Sequence, residues 1–585
     1  MKIRGSTNIC TLVLATVSAL FIMACAERSD EAAVSPPVLA DAIYINGRVY
    51  TLDPQRPWGE ALAIRGDRLL AVGTVAEVQA LAGDETEVVD LQGRMVMPGI
   101  HDMHAHLSQA GTKELFECGF PFTLGVEEIV AKVASCTSQL PPGAWVRGGQ
   151  WAMELLDAEL PPSWELLDAV APNNPVLLID STVHAVWVNS VALDKLGISD
   201  ATADPQGGSI ARNPDTGAAT GILYDNAAYE QIAKLPVYSP EQMQAALAWS
   251  VGQFNAVGVT AIRDAMVDAA ALAGYQALDE SGDLTAHIAT SLAWKMAWAG
   301  PQGGLEQTIA ARQDFASENV HVDFAKLMLD GIPPAQTAAV LEPYLPDGKH
   351  PEGHRGYLTQ SPESLMEDIT YLDEQGISVK MHATGDRSAR AVLDAVAAAR
   401  KANGPSGLWH EVSHAEMIHP DDIQRFAELN VVAEMCPILW YPSPLHGMME
   451  ASLGKQRSDR FWQVKTLSEA GVLINYGSDW PSVVPSASPW PGIEAMVTRR
   501  DPYGVNPGSL APEEAMDLAG VLQIFTINGA RSIYQDKDTG SLAVGKYADF
   551  IVLDRNLFDI DPQAISDTQV LQTVFRGKTV YLPPG

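Results

Sequence analysis

Five short segments of the chain, in fixed order, end in side chains able to bind a metal ion: His104-Ala105-His106, Lys326, His382, His414 and Asp479. Each lies in an apolar, strand-like run, namely VMPGIHDMHAH, VDFAKLML, ISVKMHA, LWHEVSHA and VLINYGSDW. One such run would constrain little. Five in sequence predict a parallel barrel of eight βα units, because that fold gathers reactive groups from several strands at one C-terminal mouth. Three more apolar runs complete the set: GVTAIRDA around Val259, LTAHIATSLAW around Ala286 and NVVAEMCP around Val432. Helical stretches such as PEQMQAALAWSVGQFNAVG and SPESLMEDITYLDEQG alternate with the strands, their apolar residues three to four apart.

The rest of the chain must be arranged around that barrel. At 585 residues the sequence exceeds what one compact core holds. AIYINGRVYTLD, ALAIRGDRLLAVG and TEVVDLQGRMVMPG alternate with period two and break at Asn46-Gly47, Gly66-Asp67 and Gln92-Gly93, which marks short strands and turns. GSLAVGKYADFIVLD and VLQTVFRGKTVYLP alternate in the same way at the other end. Residues 41–97 and 540–585 are therefore expected to build one composite β-sandwich, with the barrel over 98–539. About 150 residues separate the first barrel strand from the second, against the dozen or so that a crossover needs. The excess predicts an inserted subdomain over about 118–235.

The first 25 residues read as an export signal: Lys2 and Arg4, an apolar stretch from Ile9 to Met23, then Ala24-Cys25-Ala26. Two processing routes fit, cleavage after Ala26, or cleavage before Cys25 with lipid on its thiol, since Ile22-Met23-Ala24-Cys25 resembles a bacterial lipobox. Residues 26–40 would be the linker, and the product would be periplasmic or lipid-anchored at the envelope. Of the other cysteines, Cys118 and Cys136 flank one expected helix and are a candidate disulfide in an exported protein, while Cys436 is expected as a buried small apolar residue. The 47% apolar content is that of a folded protein, and 72 acidic against 38 basic residues give a net charge of -34, which would repel a phosphate backbone. Nucleic acid is not an expected partner, membrane contact is expected only through the N-terminal lipid, and nothing in the sequence speaks to oligomeric state.

Chemistry enters through residue type and parity. On a strand alternate side chains share a face, so His104 and His106 point together and can bind one ion. His382 in SVKMHATGDRSA and His414 in WHEVSHAE stand where apolar runs give way to polar loops, and Asp479 ends the last strand, able to touch a metal and its water together. Lys326 has two readings: a neutral lysine that takes up carbon dioxide to form a carbamate ligand, or a lysine salt-bridged to Asp330 or another carboxylate.

The chain resembles the amidohydrolase superfamily and, within it, the YtcJ-like branch (amidohydrolase family 3) that includes N-substituted formamide deformylases. The resemblance runs through NGRVYTLD, MPGIHDMHAHL, HAVWVNSVAL, DPQGGSIARNPDTG, KLMLDG, HATGDRSARAVLDAV, SHAE, GSDWPS and GSLAVGKYADFIVLD. It implies a distorted (β/α)8 barrel with a β-sandwich from both termini and an insertion over the active site. It also implies one or two divalent ions, usually zinc, in a hydrolase of carbon–nitrogen bonds. Matched to the family's pattern, His104, His106, His382, His414 and Asp479 are metal-centre positions and Lys326 is the strand-4 lysine. His184, in STVHAVWVNS, matches a histidine near the substrate. Two segments depart: the family's Asp-Gly before that histidine is Thr182-Val183 here, and Arg-Ile-Glu-His is Glu411-Val412-Ser413-His414.

The expected reaction is hydrolysis of a small amide-type substrate by metal-activated water, with Asp479 moving the proton and His184 steadying or orienting the carbonyl. The same ligands accept zinc, manganese, iron or cobalt. Trp151, Trp187, Trp440, Tyr441 and Trp480 suggest a bulky substrate, Trp151 and Trp480 being taken as contacts to it. Deamination, or hydrolysis of a cyclic amide or carbamate, is an alternative on the same fold. A non-catalytic metal-binding lipoprotein is another.

Overall fold

The computed structural model describes residues 38–205, 208–295, 305–348, 350–482, 484 and 486–584, and the described residues from Leu39 onward form one compact unit. The expected export signal, Cys25 and most of the linker lie outside the described residues.

Eight parallel strands form the central sheet: β1 (Ile100–Ala105), β2 (Val259–Val267), β3 (His287–Ala293), β4 (Val320–Met328), β5 (Ser378–His382), β6 (His410–Ser413), β7 (Val431–Met435) and β8 (Ile474–Tyr476). They pair in chain order, and a parallel bridge between Ala105 and Trp480 brings the segment after β8 back to the end of β1. The fold is the expected distorted (β/α)8 barrel. Its strands read as near-continuous apolar runs because helices cover their outer face, and every residue of β1, β5, β6 and β7 is buried. Helix starts are written locally: Ser239 and Ser361 accept from the backbone N–H groups of Gln242 and Ser364, each followed by a proline at the first helical position. The helix Leu107–Phe116 lies so close to Pro240–Ala256 that a Cβ on Gly111 would come within 2.0 Å of the Ala246 carbonyl oxygen.

Both chain ends meet in one six-stranded sheet, in which Met95–Pro98 lies between Arg48–Tyr50 and Phe550–Leu553. A four-stranded sheet, Arg68–Gly73, Ala61–Arg65, Ala42–Ile45 and Glu87–Asp90, packs on it through a core that joins Tyr44, Leu62 and Val96 to Phe550 and Val574. Between β1 and β2 a separate six-stranded sheet runs from Cys118–Gly119 to Ala219–Asp225, with its own core. Cys118 and Cys136 are disulfide-bonded there, tying an edge strand to the helix Val126–Thr137.

Candidate metal centre

The predicted ligands meet at the C-terminal ends of the barrel strands. His104 is next to last in β1 with His106 just beyond its end, Lys326 is near the end of β4, His382 ends β5, His414 follows β6, and Asp479 follows β8. All six line one cavity, about 1130 Å³ with the open solvent at its mouth included. Two of them sit in the left-handed backbone region, His414 at φ 72° and Asp479 at φ 59°, a strained conformation that redirects a side chain where a strand turns into a loop.

The geometry fits a metal ion. Asp479 Oδ1 lies 3.4 Å from His104 Nε2 and 3.2 Å from His106 Nε2. Ligands about 2.1 Å from a tetrahedral ion are spaced by roughly 3.4 Å. Protonation states agree with that role. Burial holds His104 well below the usual imidazole range and takes His414 down to about 3, so both rings are neutral.

The imidazoles present one particular nitrogen because the other is engaged. His104 donates from Nδ1 to Glu434 Oε2 at 2.5 Å, leaving the Nε2 lone pair toward the cavity. His382 Nδ1 donates to Asp330 Oδ1 at 3.1 Å, and that carboxylate also accepts from the backbone of Thr384, Gly385 and Ala339 and from the Ser388 hydroxyl. His414 Nδ1 is 3.5 Å from Cys436 Sγ, whose thiol reaches Glu434 Oε1 at 3.3 Å. Such partners fix tautomer and ring orientation around a metal. Gly477 makes room for them, since a Cβ there would lie 2.4 Å from that of His104.

Lys326 is not salt-bridged to Asp330. Its Nζ stands 3.3 Å from His104 Nε2 and 3.5 Å from the Ser413 hydroxyl, and burial, with Lys380 nearby, lowers its pKa to about 8. Beneath the centre a layer of charge crosses the barrel. Arg263 of β2 donates to Glu411 of β6 at 2.7 Å, Lys380 of β5 is held by Glu411 and lies 3.1 Å from Glu434 of β7, and all four side chains are fully buried.

His184 comes from the insertion and lines the same cavity. Its Nδ1 is 2.8 Å from Asp225 Oδ1 and 3.0 Å from the Tyr229 hydroxyl. Its loop is held by Asp180, which accepts from the N–H groups of Thr182 and Ala185. Val183 adopts φ 64°, a conformation costly for a β-branched residue and natural to glycine.

Two expectations need correction. Trp151 is fully buried in the core of the insertion, its indole N–H donating to the Leu178 carbonyl, and does not line the cavity. Trp480 turns away from the centre, stacking on Trp249 and edging Phe254 beside a neighbouring cleft. Both follow the common pattern in which a large aromatic ring is more useful to packing than to a site. Cys436 is buried as expected, and it also lines the cavity with its thiol 3.5 Å from His414 Nδ1.

Sequence reasoning passed over Glu434, Ser413, Asp102 and Glu416, and weighed Asp330 as a partner of Lys326 where it holds His382 instead. Asp102 accepts from the N–H groups of His104 and Ser478 and so ties the ends of β1 and β8 together. Glu416 lines the cavity, and its carboxyl is raised to about 8 by burial and by Asp330 and Asp479. A signal did exist. Lys380 precedes His382 by two residues, Glu411 precedes Ser413, and Glu434 precedes Cys436, so each pair faces inward from an apolar strand.

Known proteins agree with this architecture. A protein-family model described as the amidohydrolase family matches residues 87–581. The N-substituted formamide deformylase of Arthrobacter pascens is 28% identical over 551 residues, covering 93% of this chain and 98% of that protein. The protein LONG AFTER FAR-RED 3 of Arabidopsis thaliana is 29% identical, covering 94% and 93%. A crystal structure of an uncharacterized metal-dependent hydrolase from Pyrococcus horikoshii superposes with a TM-score of 0.69 at 21% identity, over 89% of this chain and 99% of that one. The chain therefore belongs to the amidohydrolase family, in its YtcJ-like branch, and is a metal-dependent hydrolase acting on carbon–nitrogen bonds.

Proposed function

We propose that the protein hydrolyses a non-peptide amide-type bond in a small molecule, and that it acts outside the cytoplasm. The observation that carries the chemistry is the convergence of His104 Nε2 and His106 Nε2 on Asp479 Oδ1 within one cavity. His104, His106, His382, His414, Asp479 and a carbamylated Lys326 would hold one or two divalent ions, zinc suiting this mixture of imidazole and carboxylate best. Bound there, the ion supplies Lewis acidity toward water and toward the substrate carbonyl.

Asp479 takes a proton from the attacking water and delivers it to the departing nitrogen. Water is thereby divided across the bond, its oxygen to the acyl carbon and a proton to the amine. His184 has Nδ1 engaged by Asp225, so its Nε2 is the atom left to orient the substrate amide. Support for the carbamate is chemical: the Lys326 amine is buried, has no carboxylate partner among the described residues, and loses its proton near pH 8. Support for export is the segment from Lys2 to Ala26 alone.

The test is product release by mass spectrometry from purified mature protein loaded with zinc or manganese, across N-formyl amines, N-acyl amino acids, anilides and cyclic amides. An amine released from one group, and abolished by a chelator, is the expected result. Ammonia as the nitrogen product would replace the proposal with deamination. No product from any group, with metal shown to be bound, would sink it.

A further inference from the structure

Arg499 is a buried cation, and no carboxylate among the described residues pairs with it. It follows the helix Trp490–Thr498 at φ 57°, a strained conformation held from two sides. Its carbonyl accepts from Leu510 N–H and its Nε donates to the Leu510 carbonyl, both at 2.8 Å. That pair anchors the guanidinium and leaves the N–H donors of Nη1 and Nη2 for another acceptor. The residue is fully buried, and among the described residues no acceptor reaches either nitrogen. Burial lowers its pKa to about 10, so the group is charged at neutral pH. Nearby carboxylates are committed elsewhere. Glu514, the strongest attraction on Arg499, accepts from the Lys465 and Thr466 N–H groups and from the Thr466 hydroxyl. Asp501 accepts from the N–H groups of Tyr503, Val505 and Asn506 and from the Asn506 side-chain amide.

A second donor stands beside the first. The Trp440 ring centre lies 5.1 Å from Arg499 Cζ, and Trp440 is itself fully buried, its indole N–H without an acceptor among the described residues. The aromatic face attracts the cation but leaves both sets of N–H groups unanswered. Buried charges are ordinarily paired and buried indole N–H groups ordinarily bonded. One acceptor carrying negative charge would satisfy both. Neither residue lines the metal cavity and both are closed off from solvent, which suits a monatomic anion rather than a substrate carboxylate.

We propose that Arg499 Nη1 and Nη2, together with Trp440 Nε1, bind a chloride ion between the helix Trp490–Thr498 and the segment that follows β7. The ion neutralises the guanidinium and fastens that segment, whose Ile438 and Leu439 line the metal cavity. The site is separate from the metal centre, and the proposal does not depend on which bond the protein cleaves.

The test needs no turnover. Full-length protein is crystallised with sodium bromide in place of chloride, and diffraction is recorded at the bromine absorption edge. An anomalous peak within hydrogen-bond reach of the Arg499 guanidinium and Trp440 Nε1 is expected. In solution, thermal unfolding is followed as sodium chloride replaces sodium gluconate at constant ionic strength. The wild-type midpoint should climb with the logarithm of chloride concentration above a threshold set by Kd, as binding to the folded state alone requires. Arg499→Met should abolish that rise. Trp440→Phe, which keeps a ring and removes the N–H, should raise the threshold about tenfold, the worth of one hydrogen bond to an ion. A water in place of the bromide peak overturns the proposal, and so does a chloride response that either variant leaves unchanged. A bromide peak without a chloride response in solution would mean binding at crystal concentration only, and overturns it too. If Arg499→Met does not fold, the bromide peak and Trp440→Phe still decide.

Discussion

His104 gives its Nδ1 proton to Glu434, and that hydrogen bond leaves a lone pair on the nitrogen facing Asp479 and Lys326. Glu434 is itself held by Lys380 and by the Ser413 hydroxyl, so its carboxylate is anchored rather than free to swing onto an ion. Glu434→Gln keeps size and one acceptor but removes the charge that fixes the tautomer. We expect zinc affinity to fall about 10- to 100-fold, read by competition with a chromophoric chelator; unchanged affinity would show that His104 needs no such partner. Asp479→Asn should behave differently, with metal content retained and turnover lower by about 10²–10⁴-fold, because the amide cannot carry the proton. Near-normal turnover in a metal-loaded Asp479→Asn would remove it from the mechanism. The contrast explains what was legible beforehand. His104, His106 and Asp479 announce themselves because few residue types bind metal and their spacing is dictated by the strand. Glu434, Ser413 and Cys436 do their part through a neighbour, and nothing at their own positions says which neighbour that is. Trp151 and Trp480 were misjudged because an aromatic ring carries no mark of whether it faces a core or a cavity.

The barrel strands themselves were legible, each as an apolar run broken by polar residues, and so were the two strand-rich ends. The charge layer inside the barrel was not, although Arg263, Lys380, Glu411 and Glu434 all stand within buried barrel strands. Which strands would bring opposite charges together depends on barrel closure, and Arg263 and Glu411 are 148 residues apart. Breaking this layer is predicted to be costly. Lys380→Met would leave Glu411 and Glu434 facing each other in a dry interior, and we expect about 3–5 kcal/mol of lost stability by urea unfolding; a loss under about 1 kcal/mol would mean that water or a proton compensates. A second element-level effect concerns pH. His321, on β4, has a buried Nε2 without a partner, and burial lowers its pKa from about 6.5 to about 4. Below 6.5 the unfolded chain binds a proton there that the folded chain refuses, so stability declines as pH falls from 6.5 to 4. Buried Asp102 and Asp264 are shifted upward, to about 7 and about 6, and act in the opposite sense, so the total slope does not isolate the histidine. The comparison does: His321→Gln should lose less stability than the wild type across that window. Parallel curves for the two proteins would reject the assignment.

At the scale of the molecule, charge and topology act on the same mouth. The insertion between β1 and β2 carries its own sheet and core, and its His184 and Thr182 line the cavity built by the barrel strands. The net charge of -34 is carried by residues 38–585, because Lys2, Arg4 and Arg28 cancel Glu27, Asp30 and Glu31 among the first 37 residues. A concave site on so acidic a body concentrates cations and repels anions over several ångströms, an effect that salt suppresses once the Debye length falls below the size of the mouth, about 10 Å at 0.1 M and 3 Å at 1 M. Rate constants should therefore sort by substrate charge. For a cationic amide kcat/KM should fall several-fold as sodium chloride rises from about 20 mM to about 500 mM. A neutral amide of the same shape should hold steady, and an anionic one should rise from a low base. Salt profiles that coincide for all three charges would mean that the acidic surface lies too far from the mouth to steer anything, and substrate selection would then fall to contacts inside the cavity, among them His184 and Thr182 of the insertion.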